Sequence, residues 1–100
     1  MRLPKGRRPV GPGDMIREMI LEGYKLTQGE LAAKLNITRP TLNRIVTGAS
    51  SVTPNMALRL SRLTGSTPEL WLNAQRAVDL WAELQEHQEE IEKIAPLAAS

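Results

Sequence analysis

Residues Thr27–Gly48, TQGELAAKLNITRPTLNRIVTG, carry two short helix signals separated by a turn, and this pair constrains the fold more than any other stretch of the chain. Thr27 is a favoured N-cap, and Glu30 three residues later completes a capping box. Leu31, Ala32 and Leu35 follow at helical spacing. Asn36 tolerates the left-handed backbone that ends a helix sharply, and Ile37 is an apolar plug in the turn. Thr38 then caps a second helix, with Pro40 in its first turn, where a missing N–H costs little, and Gly48 as its stop. Leu42, Ile45 and Val46 form the inward face of that helix. Ala32 is small enough for two helices to cross steeply at close approach. These offsets are those of a helix-turn-helix.

The outward face of the second helix reads Thr38, Arg39, Thr41, Asn43, Arg44 and Thr47. Arg bridges guanine O6 and N7, Asn pairs with adenine, and Thr bonds a base edge or meets a thymine methyl. These six are the candidate base contacts. Lys25, Thr27 and Gln28, at the entry of the first helix, are the candidate phosphate contacts, through charge and the free N–H groups of a helix start. The competing reading is an ordinary polar surface on a helical hairpin. The cap, the turn Asn, the small Ala and the two arginines together favour a DNA reader.

One hundred residues make one small domain with length left over for an arm or an extended helix. With no Cys, neither disulfides nor a thiolate metal site can staple the fold. No apolar run approaches the ~20 residues of a membrane span. No apolar stretch follows the basic N-terminus, so a secretory signal is not expected and the cytoplasm is the default location. A single His (His87) and no clustered carboxylate pair in a plausible pocket leave almost nothing for catalysis, so neither enzyme activity, nor a cofactor, nor a metal is expected. Charge is segregated: residues 1–62 hold eleven Lys/Arg against four Asp/Glu, whereas residues 63–100 hold two against seven. A basic half suits a polyanion and gives its binding a salt dependence.

The pattern as a whole is all-α, with five helices and an extended C-terminal one. Residues 1–12, MRLPKGRRPVGP, combine four basic residues with three prolines and two glycines and read as a flexible basic arm. The DNA-binding domain is expected over 13–82. Its first helix runs from about Gly13 to Glu22 with Met15, Ile16, Met19 and Ile20 as its apolar stripe, closed by Gly23 and Tyr24. Thr53-Pro54 starts a fourth helix with Met56, Ala57, Leu60 and Leu63 facing the core, stopped by Gly65. Thr67-Pro68-Glu69 starts a fifth that continues to about Ile94, the stretch 83–100 being helical extension and tail. That helix carries two apolar rows, Trp71/Ala74/Val78/Trp81 and Leu70/Ala77/Leu80/Leu84/His87/Ile91/Ile94, which suits packing on its own domain and on a partner. Leu80, Trp81 and Leu84 are the dimer-interface candidates. Trp71 reads as domain core or interface anchor, and His87 as a surface or seam residue rather than a metal ligand.

At this level the helix-turn-helix resembles the lambda-repressor-like, XRE-type DNA-binding domains. The segments VGPGDMI and VTPNMALRLSRLTGSTPELWLNAQRAVDLW are more particular. They closely resemble the HigA antitoxins (the VapI-like group), whose usual run is Pro-Gly-acid-x-Ile/Leu followed by an A-L-R-L stretch and W-L-N-x-Q. The likeness covers roughly Pro9 to Trp81, and Trp71-Leu72-Asn73-x-Gln75 is its specific portion. Asn36 stands where the family more usually has Gly, and Pro40 replaces a residue able to donate through its side chain. The resemblance implies a homodimer that binds double-stranded operator DNA, represses its own operon and neutralises a cognate HigB toxin, a RelE-like ribosome-dependent mRNA interferase. It also implies DNA-facing roles for Thr38, Arg39, Thr41, Asn43, Arg44 and Thr47, with Gln28 on a phosphate. The toxin-binding surface varies within the family. The basic arm, with Arg2, Lys5, Arg7 and Arg8, is the toxin-binding candidate, with DNA as its competing target. Two other functions compete: a stand-alone repressor without a toxin, and an adaptor that has lost DNA binding. The adaptor is disfavoured by two arginines and no acid on the outward face.

Overall fold

The computed structural model describes residues 6–98. The chain forms α1 (Pro12–Met15), which continues as a π-helical segment (Ile16–Glu22), then α2 (Gln28–Leu35), α3 (Arg39–Thr47), α4 (Pro54–Thr64) and α5 (Pro68–Glu92). Four starts share one device. Thr27, Thr38, Thr53 and Thr67 all have extended backbone, and each hydroxyl accepts the N–H three residues on. Pro follows within the first turn at α3, α4 and α5.

The stops divide between Gly and residues held left-handed despite a Cβ. Gly48 and Gly65 end α3 and α4 with positive φ. Asn36 ends α2 at φ 58, as expected, with its N–H on the Ala33 carbonyl and that of Ile37 on Ala32. The first helix departs from expectation. Gly23 keeps right-handed helical backbone, and the reversal comes at Lys25, φ 54. The N–H of Leu26 reaches back to Leu21 and that of Lys25 to Glu22, which closes the helix by the same double bond as Asn36.

The core is one cluster: Ile16, Ile20, Leu31, Ala32, Leu35, Leu42, Ile45, Val46, Val52, Met56, Ala57, Leu60 and Trp71. Ala32 is buried in this cluster. Two expected core residues are not there. Met19 is 54% exposed, because the widened π-helical turn stacks Ile20 over Ile16 and rotates Met19 outward. Leu63 is 39% exposed, in the last turn of α4, where it lines an open cleft with Tyr24, Leu26 and Lys34. Trp71 is the largest fully buried side chain, and its indole N–H donates to Ser66 Oγ at 2.9 Å.

Helix α5 runs through the expected boundary at residues 82–83 without interruption, with a local break in helical backbone at His87 (φ −122, ψ 20). It extends well past the core. Midway along it the arm comes into contact: the Trp81 indole N–H donates to the Gly6 carbonyl at 2.8 Å, and a methyl placed on Gly11 would sit 3.0 Å from Val78 Cγ2. The expected flexible arm spans residues 1–12. Of these, 1–5 lie outside the described residues, and of the rest Gly6 and Gly11 lie against α5.

Candidate nucleic-acid interface

Helix α3 is short, and its position is set from both sides. On one side α1 approaches so closely that a Cβ on Gly13 would meet the Val46 carbonyl oxygen at 2.3 Å and that of Ile45 at 2.9 Å. Only glycine permits that approach of backbone to backbone. On the other side Arg59 of α4 reaches the turn before α3, donating from Nη1 to the Leu35 carbonyl at 2.8 Å and to Asn36 at 3.2 Å. Its Nε is aligned by Asn55 Oδ1 at 2.8 Å. The guanidinium thus caps the exposed carbonyls at the end of α2, where a cation also complements the helix dipole. A third tie lies at the far end. The loop after α3 is pinned to α5 by the Val52 N–H, which donates to Gln75 Oε1 at 2.9 Å.

On this frame the outward side chains of α3 divide into two sets. Arg39, Asn43 and Arg44 are exposed, and their side chains make no hydrogen bond or ion pair among the described residues. The threonines are engaged locally. Thr38 Oγ1 accepts the Thr41 N–H at 3.3 Å and shares a 2.7 Å hydroxyl contact with half-buried Thr41, while the Thr47 hydroxyl donates to the Arg44 carbonyl at 3.3 Å. The guanidiniums and the amide are therefore the groups with donors to spare.

At the entry of α2 both halves of the capping box form: the Glu30 N–H donates to Thr27 Oγ1 at 3.1 Å, and the Thr27 N–H to Glu30 Oε1 at 3.0 Å. That backbone N–H from Thr27 holds the Glu30 carboxyl below its usual range. The N–H groups of Gln28 and Gly29 have no intrahelical partner, and Lys25 is exposed in the turn just before them. Gln28 is half-buried.

The remaining sequence candidates fall elsewhere. Leu80 is 41% exposed on α5. Trp81 is half-buried under the arm, and Leu84 is buried within the protomer but outside the main core cluster. Arg2 and Lys5 lie outside the described residues, Arg7 is exposed, and Arg8 donates from Nη1 to Asp14 Oδ2 at 3.1 Å. No helix of the described residues is long and apolar enough to cross a membrane.

Three supports escaped the sequence reading: Arg59, Gln75 and Gly13. The i,i+4 spacing of Asn55 and Arg59 was a visible signal for their pair. Nothing local pointed to the turn 23 residues away.

A helix-turn-helix family model matches residues 16–72. The antitoxin HigA-1 of Vibrio cholerae serotype O1 is 38% identical over 94 residues, covering 94% of this chain and 89% of the relative. Among solved structures, the antitoxin GraA in complex with its operator is 38% identical with a TM-score of 0.85, over 98% of this chain and 100% of that one. The Pseudomonas aeruginosa antitoxin HigA with the higBA promoter is 29% identical, again with a TM-score of 0.85, over 91% and 100%.

Proposed function

This chain belongs to the HigA antitoxin family of helix-turn-helix proteins, and on that footing we propose that it is the DNA-binding antitoxin of a type II toxin–antitoxin pair. It represses its own operon and neutralises a HigB-like, RelE-type mRNA interferase. It is a binding protein rather than an enzyme. The observation that carries the DNA assignment is the set of three unpartnered donor side chains, Arg39, Asn43 and Arg44, on the exposed face of a helix anchored at both ends.

In this reading α3 enters the major groove. Arg39 and Arg44 bond guanine edges and Asn43 an adenine, with Thr38, Thr41 and Thr47 bordering them. Gln28, Lys25 and the N-terminal N–H groups of α2, capped by Thr27, hold the flanking phosphates. The protein acts as a cytoplasmic homodimer reading two half-sites ~34–36 Å apart, with Leu80, one of the exposed apolar residues of α5 beside Leu70 and Ile91, offered to a second copy. On charge, the arm residues Arg2, Lys5 and Arg7 remain the candidates for the toxin.

The test is a gel-shift titration against the DNA upstream of the protein's own gene, with and without the product of the adjacent gene. A specific shift that the neighbouring protein alters supports the antitoxin assignment. A specific shift with no neighbouring partner that copurifies marks a stand-alone repressor, and no specific shift overturns the DNA assignment.

A further inference from the structure

Asp14 gathers two arginines at the edge of the reading helix. Arg8 Nη1 lies 3.1 Å from Asp14 Oδ2, and Arg17 Nη1 lies 3.3 Å from Oδ1, so each carboxylate oxygen orients one guanidinium. The Gly11 N–H adds a third bond to Oδ2 at 3.0 Å, and together these donors, the backbone one foremost, hold the Asp14 carboxyl below its usual range. Both arginine side chains remain nearly half exposed, 48% and 46%, and a guanidinium has five N–H donors, of which Asp14 occupies few. Arg8, Asp14 and Arg17 line one cleft with Thr47, Gly48, Ser50 and Ser51, which are the last residue of α3, its stop and the loop beyond.

We propose that Arg8 and Arg17, set side by side by Asp14, form a clamp for a DNA backbone phosphate at the C-terminal edge of α3. The inference rests on α3 being the reading helix. Arg8, Asp14 and Arg17 together carry a net charge of +1; Asp79, which lines the same cleft, has one carboxylate oxygen taken by Gln75 Nε2 at 2.9 Å. Donors are left over on both guanidiniums and hydroxyls stand across the cleft, which is the chemistry a phosphate oxygen requires. Its distance from the reading face is fixed. Gly13 touches the Val46 carbonyl, so α1 cannot slide along α3, and the Trp81–Gly6 bond seats the arm that carries Arg8. A phosphate gripped there sets the register of α3 without reading sequence. Arg8 thereby passes from the toxin candidates to the DNA contacts. Asp14 is a positioning residue that acts through the two arginines.

Equilibrium titrations of the full chain against operator and scrambled duplexes, over a salt series, test the clamp. Arg8→Ala and Arg17→Ala are each expected to weaken both duplexes by a similar factor and to flatten the plot of log K against log salt by about 0.9 per lost contact. Their preference for operator over scrambled DNA should stay as in the parent. Arg8→Lys, which keeps the charge, is expected to restore the parent slope. If the three residues formed only a structural ion triad, the alanine variants would melt earlier with unchanged salt slopes, and that result overturns the clamp. A loss confined to operator overturns it as well. Failure of the underlying reading has a different signature: Arg39→Ala and Arg44→Ala would leave operator preference intact.

Discussion

The outward face of α3 and the Trp71 and Gln75 positions of the W-L-N-x-Q stretch of α5 use their polar groups in opposite ways, Asn73 between them being exposed. On α3, Arg39, Asn43 and Arg44 point outward with no partner in the described protein. On α5, Trp71 is buried and bonds Ser66, while Gln75 accepts from Val52 and donates to Asp79 Oδ1 at 2.9 Å. The most distinctive stretch of the sequence is thus architectural, and the less distinctive one has the free chemistry. A motif that identifies a family need not be the part that touches its ligand. Here Trp71 and Gln75 fix the loop and the helix end that hold α3 in place.

That contrast predicts that stability and DNA binding separate by region. Trp71→Ala should have the largest effect on folding, about 3–5 kcal/mol from lost burial and the cavity left behind, read as a drop in urea midpoint. Operator binding should fall only in proportion to the unfolded fraction. Gly13→Ala comes next. With the Val46 carbonyl 2.3 Å from the new methyl, α1 must lift off α3, at about 1–3 kcal/mol by thermal or urea melting. An unchanged melting curve would mean that α1 does not constrain α3. Gln75→Ala strands the Val52 N–H, at about 1–3 kcal/mol if no water replaces the partner. Against these, Arg39→Ala and Arg44→Ala should shift stability by less than about 0.5 kcal/mol, as exposed and unpaired residues do. Each should nevertheless cost operator binding about 1–3 kcal/mol.

How much of this was legible follows from the range of each interaction. The caps at Thr27, Thr38, Thr53 and Thr67, and the left-handed Asn36, depend on neighbours within a few residues, and all stand where the local pattern put them. The first helix departs from its pattern because Met19 fits an α-helical stripe, and nothing in its side chain announces a π-helical turn. Arg59, Gln75 and Trp81 were beyond local reasoning. Their partners lie 23 to 75 residues away, and only the packed fold brings them within reach. The outward face of α3 was readable as a face, but which of its six members had free donors depended on hydroxyl bonds at Thr38 and Thr47.

The smallest predicted effect concerns acid. Asp14 and Glu30 both have carboxyls below their usual range, mainly through the backbone N–H groups of Gly11 and Thr27. A group whose folded pKa is depressed stabilises the fold above its unfolded pKa, and that contribution is lost as pH falls through the folded one. Melting temperature should therefore hold level near neutrality and decline below about pH 4. The Asp14→Asn/Glu30→Gln double variant should show a shallower decline, and an identical acid profile would place the sensitivity in other carboxylates.

Under the proposed function, free donors on α3, and not the motif on α5, choose the DNA sequence. Competition binding of operator against scrambled duplex, measured for the parent and for Arg44→Ala at matched folded fraction, tests it most directly. The operator-to-scrambled affinity ratio is expected to fall about fivefold or more while the melting temperature stays put. A variant that keeps the parent ratio, together with the same result for Arg39→Ala, would contradict it.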